Sequence, residues 1–240
     1  MFLISRYRLA LPSLAFAALT ACGGGSSDPA TPAATATEEA TATETAALTC
    51  IQPAYPSTGY SQVFKGCDAA NVATYYAKDE CVRDNVSGLI WQGQTAARTG
   101  LRANDVFKTN FDSTTELQER TFAQRTYETF RAPTAGQVNS ITNSIGFKNA
   151  VNASNLCGSG AWRLPTIDEL LGIVKINGTV PTIDTDWFPN TPRDRSYWSS
   201  SPYPGYAYYA WGVNFYSGKA GIDVRDYYGY SYGGLVRLVR

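Results

Sequence analysis

Residues 23 to 48 set the limit on what this chain can fold into. They read as Gly, Ser, Ala, Thr, Pro and Glu, with almost no large apolar side chain. Such a segment cannot bury enough surface to offset its ordering entropy. A helix through the Ala and Glu run at 33 to 47 is opposed by the many β-branched Thr residues. The segment is therefore expected to be a flexible tether. Folding falls to residues 49–240, about 190 residues, enough for one hydrophobic core.

The start of the chain explains why a tether would be needed. Arg6 and Arg8 give a positive beginning, and Leu9 to Ala18 form an apolar stretch too short to span a bilayer permanently. Leu19-Thr20-Ala21-Cys22 followed by Gly23-Gly24-Gly25 resembles the bacterial lipobox. That resemblance implies removal of residues 1–21 as a signal peptide and lipid attachment to Cys22. It also implies outer-membrane sorting, because Gly23 rather than an aspartate follows the cysteine. Several acyl chains on one terminus hold a protein firmly to a membrane. The tether, residues 22–48, would then lift the folded part off the membrane.

Composition removes several function classes. Lys plus Arg equals Asp plus Glu, so the formal net charge is zero and the basic face of a nucleic-acid binder is not expected. The sequence contains no histidine. Ser-His-Asp and Cys-His catalysis and His-ligated zinc are thereby excluded. Carboxylate chemistry stays open, and so does oxygen-ligated calcium; Asp184, Asp186 and Asn190 could supply oxygens, although no complete loop motif is present. No cofactor is expected.

With Cys22 lipidated, four cysteines remain: Cys50, Cys67, Cys81 and Cys157. An even set in an oxidising compartment reads as disulfides. Three pairings are possible, and Cys50–Cys67 with Cys81–Cys157 is favoured. Thiolate chemistry is disfavoured, since there is neither C-x-x-C spacing nor a histidine partner.

Along the folded part, residues 50 to 80 read as irregular, with Pro53, Pro56 and Gly59 at turns and Tyr75-Tyr76 beginning a short strand. Cys81 to Gln92 reads as strand, turn, strand. Residues 93 to 132 form a long insertion whose aromatics (Phe107, Phe111, Phe122, Tyr127, Phe130) could cover the core together with Trp91. Residues 134 to 156 read as helical, on a stripe of Val138, Ile141 and Ile145 that Gly146 weakens. Thr166 and Glu169 make a capping box after Pro165; Leu170, Leu171 and Val174 give the helix an apolar face, and Asn177-Gly178 ends it. Asp168 and Glu169 are read as first-turn acids meeting the helix dipole. From Tyr197 onward the pattern is that of an antiparallel sheet: Tyr197–Ser200, Trp211–Phe215, a turn at Ser217-Gly218, then Ile222–Arg225. Leu235–Arg240 is apolar enough to be central.

These residues resemble a known family. Cys81-Val-Arg-Asp-Asn with Gly88-Leu-Ile-Trp91, Leu156-Cys157-Gly158, Trp162-Arg-Leu-Pro-Thr166 with Glu169-Leu170, Ile183-Asp184 with Phe188-Pro189, Tyr197-Trp-Ser-Ser-Ser201 and Val236-Arg-Leu-Val-Arg240 fit the Lcl C-terminal-like domain family, named for a collagen-like adhesin. The resemblance covers roughly 78–240. It implies an α+β, C-type-lectin-like fold related to formylglycine-generating enzymes, with two helices packed on twisted antiparallel strands. It supports the Cys81–Cys157 pairing. The enzyme relatives' chemistry does not follow, since it needs reactive cysteines.

Ten of the sixteen tyrosines lie between Tyr197 and Tyr232. Tyr203, Tyr206, Tyr208, Tyr209, Tyr216, Tyr227, Tyr228, Tyr230 and Tyr232 stand where a plain loop would hold Asn, Ser or Gly, with Asp223 and Asp226 among them. This segment, about 203–232, is similar to the variable region of proteins diversified by retroelements, in which Trp198, Trp211, Val213, Phe215 and Leu238 would be fixed scaffold. Tyrosine offers a large, rigid contact with a polar tip. Tyr197 is instead expected in the core. The chain is therefore expected to be a surface-displayed binding lipoprotein, not an enzyme. Its ligand would be an extracellular protein or glycan, and its only membrane contact the N-terminal lipid. Two alternatives stand beside this: a carbohydrate-active enzyme using Asp184 and Asp186, and a structural envelope lipoprotein.

Overall fold

The computed structural model describes residues 50–113, 115–123, 127–226 and 234–240. The expected signal peptide, Cys22 and the expected tether lie outside the described residues. The framework is built around residues 235–240. On one side, the amide of Ile90 donates to the Arg240 carbonyl at 2.9 Å, that of Arg240 to Ile90 at 3.0 Å, and that of Gln92 to Leu238 at 2.8 Å. On the other, Trp198 donates to Leu235 at 2.9 Å and Leu235 to Ser196 at 2.8 Å. The terminal segment thus joins two three-stranded sheets.

The first sheet is antiparallel, ordered β1 (Tyr60–Gln62), β4 (Cys81–Asp84), β5 (Ile90–Gln92). Two short strands between β1 and β4, β2 (Phe64–Cys67) and β3 (Ala73–Tyr75), form a separate hairpin. Residues 50–80 are thus more regular than expected. In the insertion, β6 (Glu119–Ala123) and β7 (Tyr127–Arg131) pair as a second hairpin. The second sheet is β8 (Ser196–Pro202), β9 (Tyr209–Asn214) and β10 (Lys219–Val224), with β9 in the middle. The Ser217-Gly218 turn falls as expected, with Gly218 at φ 68°.

Alternation in the terminal segment divides the core. Val236 and Leu238 pack with Trp198, Phe147, Val151, Trp162 and the buried Cys81 and Cys157. Leu235 and Val239 pack with Trp91, Tyr197, Val213, Phe215, Leu170 and Phe188. Both faces carry buried apolar residues, as in a central strand. Arg237, between them, is fully buried; it donates to Gln94 Oε1 and Thr191 Oγ1, and its guanidinium lies over the rings of Phe188 and Tyr197.

The helical stretch differs from the expected stripe. It breaks into α1 (Ala135–Val138) and α2 (Ser144–Ala153), and Ile141 lies exposed in the turn between them. α2 buries Ser144, Gly146, Phe147 and Val151. Gly146 is required there: an added β-carbon would collide with the Ser140 and Asn139 carbonyls. Helix α3 (Ile167–Gly172) has the expected capping box between Thr166 and Glu169. It ends earlier than Asn177, because Ile173 turns into the core and Val174 bridges to Ile183. Both expected disulfides are formed, Cys50–Cys67 and Cys81–Cys157, with Cα separations of 6.1 and 6.6 Å. No helix among the described residues is long and apolar enough to cross a membrane.

Candidate ligand-binding face

β8 leaves its sheet at Pro202, and Pro204 and Gly205 mark the bend that returns the chain to β9. The bend brings tyrosines together. Tyr203 meets Tyr209 edge-on at 5.9 Å and Trp211 at 5.7 Å. Tyr206 stacks on Tyr208 at 5.2 Å, and Tyr208 lies 4.6 Å from Tyr209. Phe130 of β7 stacks on Tyr208 at 4.0 Å. Tyr206 is 58% exposed, while Tyr203, Tyr208 and Tyr209 are half-buried. The rings thus support one another and still present faces to solvent. Expected scaffold residues Trp198, Val213, Phe215 and Leu238 are buried, as is Tyr197; Trp211 instead joins the ring cluster, half-buried.

Polar groups line the hollow beside these rings. Asp112, Glu116, Gln118, Tyr203, Tyr206 and Arg225 border a groove of about 310 Å³. Arg225 is 3% exposed; it donates to the carbonyls of Asn110 and Tyr209 and pairs with Asp112 at 2.8 Å. Gln118, also buried, accepts the Asp112 amide hydrogen. Glu116 is exposed at the rim. Asp112 also borders a second pocket, about 420 Å³, between α2 and β8, where Lys148, Ser199 and Ser200 face an apolar floor of Ile145 and Leu164. None of Asp112, Glu116 and Gln118 was singled out from the sequence. They sit in the long insertion without a motif, and only folding brings them to the tyrosines.

The other expected contacts divide. Tyr216 is 62% exposed but sits at the β9–β10 turn, by a separate groove of about 330 Å³ that includes Lys219 and Asp223. Burial pushes the Asp223 carboxyl up to about 6. Asp226 is a correction: it is 4% exposed, and its carboxylate accepts the amide and Nε hydrogens of Arg120 at 2.7 and 3.0 Å. It anchors the β6–β7 hairpin and does not face solvent. Tyr227, Tyr228, Tyr230 and Tyr232 lie outside the described residues.

The carboxylates considered for catalysis or calcium do not converge. Asp184 pairs with Lys175 at 2.8 Å and accepts the Asp186 amide hydrogen, a turn-forming arrangement. Burial pushes its carboxyl up, but the bond and charge of Lys175 outweigh this and hold it below the ordinary range. The Asn190 side chain donates to the Gln94 carbonyl. Among the described residues, no group of three or more acidic or cysteine side chains could hold a metal ion.

No curated protein and no solved structure matches this sequence. One family does: residues 80–240, about two thirds of the chain, match the Lcl C-terminal domain. That span contains both central disulfide cysteines, the capped α3, both sheets' core strands and the terminal segment that joins them. Over residues 80–240, this chain belongs to the Lcl C-terminal domain family.

Proposed function

We propose that this protein is a lipid-anchored binding module displayed at the outer surface of a bacterial cell, meeting a protein or glycan through the ring cluster at Tyr203–Tyr209. The observation that carries this reading is the cluster itself: mutually stacked tyrosines beside a groove with buried, pre-positioned polar groups. Rings held by their neighbours have little rotamer freedom left to lose on binding, and their hydroxyls supply polar contacts. The adhesin for which the family is named, and the C-type-lectin-like arrangement it implies, favour the same reading. Tyr216 and Asp223, at the separate groove by the β9–β10 turn, would offer further contacts. In this reading the tyrosine enrichment is the product of retroelement diversification, which a template repeat and a reverse transcriptase gene in the neighbouring DNA would establish.

The test is Tyr203→Ser, Tyr206→Ser and Tyr208→Ser combined, assayed on glycan arrays and on intact host surfaces beside the unaltered protein. Binding is expected to fall by at least about tenfold, the equivalent of roughly 1.4 kcal/mol. Unchanged binding would leave the cluster a structural cover. Display is tested separately: Cys22→Ser should abolish metabolic labelling with a fatty acid and release the protein from the membrane fraction.

A further inference from the structure

Strand β10 is an edge. β9 pairs with one side of it along its full length, and among the described residues no strand pairs with the other. Alternate residues of any antiparallel strand direct their N–H and C=O groups away from the neighbour. An exposed row of that kind is a template for another strand, and proteins usually protect it. Here Lys219, Ala220, Gly221 and Ile222 are all exposed, and nothing lies within 4 Å of where a β-carbon on Gly221 would be.

The side chains of β10 carry a second pattern. Lys219, Gly221 and Asp223 share one face, because strand residues alternate. Neither Lys219 nor Asp223 makes an ion pair among the described residues. Asp223 spends one carboxylate oxygen on the Val224 amide hydrogen. Four residues apart on an extended strand, the two charges stand about 13 Å from each other and cannot pair within one chain. They lie symmetrically about Gly221, and this makes the strand complementary to itself. An antiparallel copy related by a two-fold axis through Gly221 sets Lys219 opposite Asp223 twice over, and Ala220 opposite Ile222. Parallel in-register pairing sets Lys against Lys and Asp against Asp. An antiparallel slip by one residue leaves both charges without partners.

We propose that the free edge of β10 pairs with β10 of a second copy of this chain, in the antiparallel register centred on Gly221. The interface is isologous, as a two-fold dimer requires. Opposite charges placed directly across a ladder favour the register, and like charges disfavour it. The partner is this chain itself and not an unrelated peptide, because the complementarity is internal to the strand.

The experiment is sedimentation equilibrium on the full chain carrying Cys22→Ser to prevent lipidation, from about 1 μM to 1 mM. The chain is expected to dimerise in that range. Lys219→Asp alone makes both cross-strand pairs acidic, and Asp223→Lys alone makes both basic; each should weaken the dimer by at least about tenfold. Mixing the two variants should restore a heterodimer, since the acidic strand then faces the basic one. The double variant should also dimerise as the unaltered chain does. Far-ultraviolet circular dichroism confirms that each variant is folded, and rescue on mixing could not come from unfolded chains. A chain that stays monomeric throughout would overturn the proposal, as would a dimer indifferent to the charges or single variants that fail to rescue one another.

Discussion

Phe130 and Tyr208 stack with ring centroids 4.0 Å apart and planes 17° from parallel. One belongs to β7 of the insertion, the other to the bend between β8 and β9. The contact couples a hairpin far away in sequence to the proposed binding face. Asp226 makes a second tie to the same hairpin through Arg120. The insertion is therefore part of the site's support.

A double-mutant cycle measures that coupling. Phe130→Ala and Tyr208→Ala should each destabilise the fold in urea, and together by less than their sum. The shortfall should be about 0.5–1.5 kcal/mol, the worth of an aromatic pair beyond its buried area. Strict additivity would mean that the stack does not form in solution.

The two disulfides should differ in both weight and access. Cys81–Cys157 closes a separation of 76 residues and Cys50–Cys67 one of 17. On chain entropy alone, replacing both partners by Ala costs about 4.5 kcal/mol for the first and about 3 kcal/mol for the second. Cys81 and Cys157 are buried in the core, while Cys67 is exposed. Mild reductant followed by alkylation and mass mapping should label Cys50 and Cys67 first. Equal labelling of all four would contradict the burial.

Lys108 is 6% exposed, and its ammonium has the Val106 carbonyl at 3.5 Å and the Phe147 ring at 5.0 Å. Burial pulls its pKa down to about 8. Below that value the amine is charged in both folded and unfolded chains, and the folded one bears the desolvation penalty. Between about 8 and the unfolded value of about 10.4 the folded chain loses its proton first, so the penalty fades. Lys108→Met should therefore stabilise the protein at pH 7, with a gain that shrinks toward pH 10. Urea denaturation of both proteins at the two pH values checks this; a gain that grows with pH would contradict it.

The capping box allows a finer pH test. Glu169 takes two hydrogen bonds from Arg163 at 2.8 and 2.6 Å and one from the Thr166 amide at 2.8 Å. The Arg163 guanidinium foremost holds its carboxyl below the usual range. A depressed acid contributes stability that is fully present above its unfolded pKa, about 4.3, and is lost as pH falls through the folded value. The advantage of the unaltered chain over Glu169→Gln should be full at pH 7 and vanish in acid. Thr166→Ala should cost about 1 kcal/mol at either pH.

What could be read from the sequence was local or periodic. The α3 cap needs only Thr166 and Glu169 three residues apart, and the terminal segment announces its burial on both faces by the apolar pairs Leu235-Val236 and Leu238-Val239. What could not be read depends on polar residues that folding buries. Asn143 is fully buried: its side chain donates to the Phe111 and Val138 carbonyls and accepts from the Phe111 amide. Ser144 donates to Asn110, which donates to the Ser199 carbonyl. Hydrophobic periodicity cannot see such a network, and it carries a helix through Ile141 where these bonds break it. The burial of Asp226 is illegible for a related reason: its partner, Arg120, is brought to it only by the tertiary fold.

Two glycines should respond unequally to the same change. A β-carbon on Gly234 would sit 2.7 Å from Cε2 and Nε1 of Trp198, an indole that is 2% exposed and donates to the Lys108 carbonyl. That ring is enclosed by the core and cannot swing away. Gly234→Ala should therefore destabilise by about 1–3 kcal/mol, the range for overpacking a filled interior. Gly221, on the free edge of β10, has open space around it. Gly221→Ala should change stability by no more than about 0.5 kcal/mol, as surface substitutions do. Because Gly234 leads directly into the segment that joins the two sheets, its substitution should also raise hydrogen exchange at the Leu235 and Trp198 amides, which bond across that junction. Loss of stability without faster exchange at those two amides would place the strain elsewhere.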